Sequence, residues 1–359
     1  MTSQVGKYRR LIDIKIAQGD IVAVLADYNF YVIALLLVLI EKKCIVVPIV
    51  SKLSKEIKER VEAASCSKTI SISFDGNLSI NQHSERTKHQ LSDRLINQNQ
   101  AGLILFSSGS TGEPKAMIHN LDKLVNSYRG KKIKNISIII FLMFDHIGGL
   151  NTLLNSLAMG AYIVIPENRK AAEIAALIEK HKVQVLPASP TFLNIMMLDN
   201  VKDRFDLNSL RLVTYGTEPM PESLLQRLNK AFPKTRFIQT FGTSETGIIK
   251  TISRSSGSLE MKFNDSNQEY KVVDGELWLK SETQVLGYLN AKMDNFTKDG
   301  WFCTGDLVEE LNDGYIKIKG RSKELINVGG EKVLPIEVES VLIEMLIIDD
   351  ALVRGEPNL

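Results

Sequence analysis

The run Ser107-Ser108-Gly109-Ser110-Thr111-Gly112-Glu113-Pro114-Lys115 places four hydroxyls, two glycines and a lysine within nine positions. Together these residue types favour anion binding. Glycines let the backbone turn sharply and present N–H groups to an anion. Hydroxyls donate to phosphate oxygens, and the lysine adds charge. The pattern is not that of a P-loop, because Lys115 follows a proline and no serine or threonine comes after it. A loose Gly/Ser stretch is ordinarily a flexible loop. Here an apolar run, residues 102–106, leads straight into it, and the density of donors favours an anion site.

A second run, Gln239-Thr240-Phe241-Gly242-Thr243-Ser244-Glu245-Thr246-Gly247, crowds an aromatic ring, small hydroxyls and a carboxylate together. Phe241 could stack on a purine, and Thr243 or Ser244 could donate to a phosphate. Glu245 could hold Mg²⁺, which takes one or two carboxylates beside substrate phosphates. A turn ending in a solvated glutamate would carry the same residues.

The elements that must position these runs alternate regularly. Apolar strand patterns fall at residues 102–106, 136–141, 161–165, 183–186, 210–215 and 236–239, with helical patterns at 150–159, 171–181, 190–198 and 222–231. Strand–helix alternation implies a parallel sheet covered by helices. Ligands of such sheets sit at the carboxyl ends of the strands, where both runs fall. Residues 31–40 predict a buried helix and 44–47 a short strand, whereas polar residues 74–100 predict a surface excursion. From about Ser255 short strands at 270–273, 276–279 and 315–318 alternate with Asp-Gly turns at 274–275, 299–300 and 313–314. The expected fold class is α/β. It comprises a large domain of layered parallel sheets with helices over 1–254, a small β-rich subdomain over 255–320, and a hinge with a short start of a further domain over 321–359.

Composition narrows the field. A chain of 359 residues that is 44% hydrophobic can bury a large core, and its net charge of +2 gives no overall field for nucleic acid. Lys131, Lys132 and Lys134 form only a short basic stretch, which reads as a solvated face. The three cysteines, Cys44, Cys66 and Cys303, are widely spaced and suit a reducing cytoplasm. No signal-peptide pattern opens the chain, and its most apolar stretch is too short to span a bilayer.

Taken together, the runs resemble the adenylate-forming superfamily of acyl-CoA synthetases, acyl-AMP ligases, amino-acid adenylation domains and luciferases. Residues Ser107 to Lys115 match its phosphate-loop signature. Phe241-Gly242-Thr243-Ser244-Glu245 is similar to its aromatic-Gly-x-Thr-Glu motif, with Phe for the usual Tyr and Ser for Thr. Trp301-Phe302-Cys303-Thr304-Gly305-Asp306 resembles the Thr-Gly-Asp motif, and Gly320-Arg321-Ser322-Lys323-Glu324-Leu325-Ile326 resembles the arginine-plus-hinge motif. Gly275-Glu276-Leu277 and Gly287-Tyr288 are weaker matches.

The resemblance implies roles. Ser107, Ser108, Gly109, Ser110, Thr111, Gly112 and Lys115 would hold phosphates, and Glu245 would coordinate Mg²⁺. Tyr215, Gly216, Thr217 and Glu218 match the segment lining the adenine and acyl site, beside Thr240 to Ser244. Asp306 would accept from the ribose hydroxyls, Arg321 would donate near that sugar, and Lys323 would be the hinge. His146, within Phe144-Asp145-His146-Ile147-Gly148-Gly149, lies at the acyl-site motif and would orient the acid, although a lone histidine is more often a packed or surface residue. Asp145 offers another possibility, pairing with the ammonium of an amino acid. His119 falls where the family often has a structural histidine.

The implied reaction joins a small carboxylic acid to AMP from ATP, with Mg²⁺. A thiol of coenzyme A or of a carrier protein's phosphopantetheine then displaces AMP. Lys115, Thr111, Glu245 and His146 are the candidate catalytic residues. The resemblance further implies a C-terminal lysine motif that nothing after Lys323 matches, so the first half-reaction is expected to be weakened in this chain while nucleotide binding survives. A nucleotide-binding protein without catalysis is the rival outside the enzymes. The oligomeric state is open.

Overall fold

The computed structural model describes residues 1–84, 87–107, 114–343, 345, 347, 348 and 350–356. Among them the fold is α/β, built on three larger sheets. The first has seven strands, ordered Gly287–Tyr288, Lys115–Asn120, Gly102–Ser107, Ile45–Ile49, Ile21–Leu25, Lys68–Ile72 and Leu78–Gln82. Its middle is parallel, with Ile21–Leu25 registering Ile21 against Ile45 and Val22 against Lys68. Its edges are antiparallel, closed by Leu78–Gln82 on one side and Gly287–Tyr288 on the other. The second sheet has five strands, all parallel, in the order Arg236–Gln239, Leu212–Tyr215, Val185–Ala188, Ser137–Ile139, Tyr162–Val164.

The third sheet is antiparallel, ordered Thr251–Ser253, Glu260–Phe263, Ile316–Arg321, Phe302–Glu310, Glu276–Ser281, Gln268–Val273. The Asp274-Gly275 turn joins Gln268–Val273 to Glu276–Ser281 with both residues at positive φ, as the two-residue hairpin signal predicts. A ribbon of Ile326–Val328 with Glu331–Val333 and the helix Pro335–Ile343 follow.

Helix Phe30–Glu41 is apolar nearly all round and lies buried in the core of the first sheet. Asn29 caps it by accepting from the Val32 N–H. Each fully buried Leu, Ile or Val in it contributes about 1.5–3 kcal/mol over an exposed one. Helix Pro190–Leu198 starts where Ser189 caps and Pro190 takes the first position, so its bounds are legible in the sequence.

Two expectations shift. Residues 74–100 are not merely an excursion: they hold the edge strand Leu78–Gln82 and the helix Gln90–Asn97. Their polarity reflects edge placement, with Leu78, Ile80, Leu91, Leu95 and Ile96 turned inward. The helix expected over 150–159 begins earlier and runs Ile147–Ala158, because His146 caps it by accepting from the Gly148 N–H. No helix among the described residues is long and apolar enough to cross a membrane.

Candidate active site

A cavity of about 800 Å³ lies where the first two sheets present the carboxyl ends of their strands to the third. Ser107 ends the strand Gly102–Ser107, Gly216 and Thr217 follow Leu212–Tyr215, and Thr240 follows Arg236–Gln239; all four residues line the cavity. Parallel strands leave their terminal carbonyls and the ensuing turns free at this edge, so ligand-binding turns gather there.

On the phosphate side, Ser107 and Lys115 are cross-strand partners and both face the cavity. Asn290 clamps the base of the intervening loop, its Oδ1 accepting from the Ala116 N–H at 2.8 Å and its Nδ2 donating to the Pro114 carbonyl at 2.9 Å. Ser108, Gly109, Ser110, Thr111 and Gly112 lie outside the described residues. The Lys115 Nζ stands 5.6 Å from the centroid of the Tyr288 ring.

Tyr288 in turn donates to Glu245 Oε1 at 2.8 Å. Burial, reinforced by that carboxylate, pushes the Tyr288 hydroxyl far above the usual phenol range, so it stays a donor. Lys115, Tyr288 and Glu245 therefore form one chain of contacts along the cavity wall. Thr243 spends its hydroxyl on Thr246, pairing with its Oγ1 at 3.0 Å and accepting from its N–H, which holds the turn that presents Ser244 and Glu245.

Gly216 lets two loops meet: a Cβ there would lie 2.7 Å from both the carbonyl and the hydroxyl of Thr240. The next residue, Thr217, has φ 75°, a left-handed conformation costly for a β-branched side chain. Such strain, on the order of 1–3 kcal/mol, collects at ligand sites.

Asp306 and Arg321 are a cross-strand pair of the third sheet, joined by an ion pair of 3.3 Å. Arg321 lines the cavity with its side chain 60% exposed, whereas Asp306 is buried immediately behind it and is not a lining residue. Burial raises the Asp306 carboxyl above the usual range, and Arg321 opposes that shift. Ser322 and Lys323 continue the wall.

His146 lines the opposite side. Desolvation lowers its pKa, with Asp145 pulling the other way. Asp145 is not on the cavity wall: its Oδ2 binds Arg60 at 3.0 Å and accepts from the Val50 N–H. Asp145 is thus committed to Arg60 and the Val50 backbone. Phe241 lines the cavity but also packs into the third sheet's core, 5.9 Å from the Phe263 ring.

Two candidates lie elsewhere. Tyr215 is 1% exposed in the core of the second sheet, because alternation along the strand sends its side chain inward. Glu218 accepts from the Thr191 N–H at 2.6 Å and lines a neighbouring cavity. His119 is buried and its pKa falls to about 4 through desolvation, opposed by backbone groups of Thr283 and Ser244. Asn290 and Arg60 carried no signal in the sequence; their roles come from position alone. Among the described residues no three His, Cys, Asp or Glu side chains group as a metal site. Glu245 alone suits a cation that arrives with phosphates and keeps its waters.

A family model described as AMP-binding enzyme matches residues 9–289. Among curated proteins, 4-coumarate–CoA ligase 4 of Arabidopsis thaliana is 30% identical over 315 residues, covering 79% of this chain and 55% of that protein. The 4-coumarate:CoA ligase 1 of Petunia hybrida is 28% identical over 312 residues, with coverages of 78% and 57%. The chain thus spans about half the length of the curated relatives it matches. Among solved structures, an anthranilate CoA ligase in complex with anthranoyl-AMP superposes with a TM-score of 0.80 at 22% identity, covering 99% of this chain and 77% of that one. The o-succinylbenzoate CoA synthetase of Bacillus subtilis with its acyl-adenylate gives 0.77 at 21%, with coverages of 100% and 80%. At such identities the likeness establishes the fold.

Proposed function

Because the chain belongs to the AMP-binding enzyme family, we propose that its cavity binds ATP and activates a carboxylic acid as the acyl-adenylate, for transfer to a thiol. The observation that carries this reading is that Lys115, His146, Glu245 and Arg321, each from a different segment, line one cavity. The relatives are named as CoA ligases, which supports coenzyme A as acceptor over a carrier-protein phosphopantetheine. A cytoplasmic location belongs to the same proposal; Cys44, Cys66 and Cys303 are free thiols.

The roles follow from placement. Lys115 and Ser107, with Ser108, Gly109, Ser110, Thr111 and Gly112 between them, take the β- and γ-phosphates. Thr240 to Ser244 with Gly216 and Thr217 form the adenine and α-phosphate wall. Arg321 meets the ribose, and Asp306 accepts from its hydroxyls once the sugar competes for the ion pair. Glu245 would hold Mg²⁺, which neutralises phosphate charge when bound. His146, kept largely neutral by desolvation, orients the acid.

A carboxylate oxygen of the acid attacks the α-phosphorus, and the bond to the bridging oxygen breaks. Pyrophosphate departs toward Lys115. The thiol then attacks the acyl carbon, and AMP leaves. Holding the acid and the triphosphate in line is the main contribution asked of the protein. Lys323 is the proposed hinge, and the division at 254/255 and 320/321 is the proposed domain organisation.

Titration calorimetry with ATP and AMP tests the reading. Lys115→Ala and Asp306→Asn should each weaken binding by about ten-fold or more, the usual scale for a lost charged hydrogen bond. Far-ultraviolet circular dichroism should stay unchanged. Wild-type affinity in both variants would refute the assignment. ATP–pyrophosphate exchange across aryl, fatty and amino acids then identifies the acid.

A further inference from the structure

A second cavity of about 370 Å³ adjoins the first, and the two share wall residues including Ile147, Asn151, Thr152, Thr214 and Ile248. It runs between the helix Ile147–Ala158 and the second sheet. The shaft is apolar, walled by Ile138, Val185, Leu212, Ile238 and Ile249. Its solvent-facing end is not: the partly buried Lys131 and the exposed Lys134 and Lys250 line it, with Asp265 as the one carboxylate among the lining residues.

The charges do not balance. Asp265 is committed to Lys250, at 3.6 Å, and to the backbone N–H groups of Lys250 and Asn267. Among the described residues Lys131 and Lys134 have no ion pair. The Lys131 ammonium donates to Asn155 Oδ1 at 2.6 Å and sits 5.3 Å from the Tyr128 ring centroid, so its stem is fixed and aimed while a donor is left over. Desolvation and the repulsion of Lys250 and Lys134 all lower its pKa. An anion placed there would relieve both the repulsion and the unmet donor.

We infer that the acid activated at this site carries a second anionic group at its far end, an α,ω-dicarboxylic acid or an ω-phosphorylated acid, whose apolar middle fills the shaft and whose distal anion meets Lys131 beside Lys134 and Lys250. This inference rests on the acyl-adenylate reading above. It differs from a plain fatty or aryl acid, for which an apolar shaft needs no cationic end.

The test uses the full chain and non-hydrolysable acyl-adenylate mimics, 5′-O-acylsulfamoyl adenosines, with tails of graded length ending in methyl, carboxylate or phosphonate. Binding is measured by calorimetry beside AMP. At one tail length the anionic-tailed mimics should bind about ten-fold more tightly than the methyl-tailed one, the scale of a single charged contact. The carboxylate and phosphonate arms tell the two sources of the anion apart. The ratio should fall toward one in Lys131→Gln and hold in Lys132→Gln, whose side chain is not on this wall. Lys250→Gln tests the same end from the opposite side should Lys131→Gln fail to fold. Equal affinity of the three tails at every length, or a ratio that survives both Lys131→Gln and Lys250→Gln, overturns the inference and leaves the adenylate reading in place. If AMP and every mimic fail to bind, both fall.

Discussion

At the scale of single residues, two buried titratable groups set opposite demands on pH. His119 has a folded pKa of about 4 against the usual 6.5, so it stays neutral when folded and takes a proton more readily when unfolded. Its contribution to stability is complete above pH 6.5 and is lost as pH falls toward about 4. The loss is at most about 3 kcal/mol for one group over that interval. Denaturant melts across this range should show the slope, and His119→Asn should flatten it. Asp306 has the reverse sign: its raised pKa means the ionised carboxylate is disfavoured when folded, and stability falls as pH rises through that value. Burying a charge beside a largely exposed arginine is the sort of cost that ligand sites carry, since Arg321 is screened by water.

Residue chemistry was the most legible part of the chain. The Ser107–Lys115 and Gln239–Gly247 runs stand out by composition, and the strand ends place the described parts of both on one cavity. Tyr215 and Glu218 were harder because motif adjacency says nothing about which way a strand's last side chain points. Asn290, Arg60 and Arg169 could not be found from sequence at all. Each acts through a partner far along the chain, and an isolated polar residue carries no mark of its partner.

At the scale of elements, the helix Ile147–Ala158 shows how backbone clearance decides a start. A Cβ on Gly149 would collide with the Met143 carbonyl, whereas one on Gly148 would meet the Leu142 side chain at 3.2 Å and His146 Nδ1 at 3.6 Å. Gly149→Ala should therefore destabilise the chain by about 1–3 kcal/mol, as overpacking does. Gly148→Ala should cost less, and thermal melts of the pair would check the contrast. Strands and helices with strong period or caps were readable, to the residue for Pro190–Leu198. The strand Leu78–Gln82 was not, because an edge strand buries one face and its polar residues read as a loop.

At the scale of the whole molecule, charged staples join the layers. Arg169 reaches Asp27 at 2.7 Å and the Phe141 carbonyl at 2.6 Å, tying the turn after Ile21–Leu25 to the loop after Ser137–Ile139. Arg60 ties the helix Ser54–Ala63 to Asp145 in the same loop. Both staples converge on residues 141–145, just ahead of His146. A double-mutant cycle on Arg169→Ala and Asp27→Ala should give a coupling of about 1 kcal/mol, modest because both groups are partly solvated. Additive losses would show that the pair does not couple the two sheets.

The edge strand Gly287–Tyr288 is only two residues long, yet it carries the chain back from the third sheet to complete the first. The polypeptide is therefore interleaved. Residues 1–254 severed from the remainder would expose the open flank of Lys115–Asn120, and the severed remainder would lack the surface on which Tyr288 lands. Recombined, they would have to re-form this clip together with the pairing of Thr251–Ser253 on Glu260–Phe263, and because the clip also carries the Tyr288 hydroxyl to Glu245, recovered ligand binding would report the reunion of the halves.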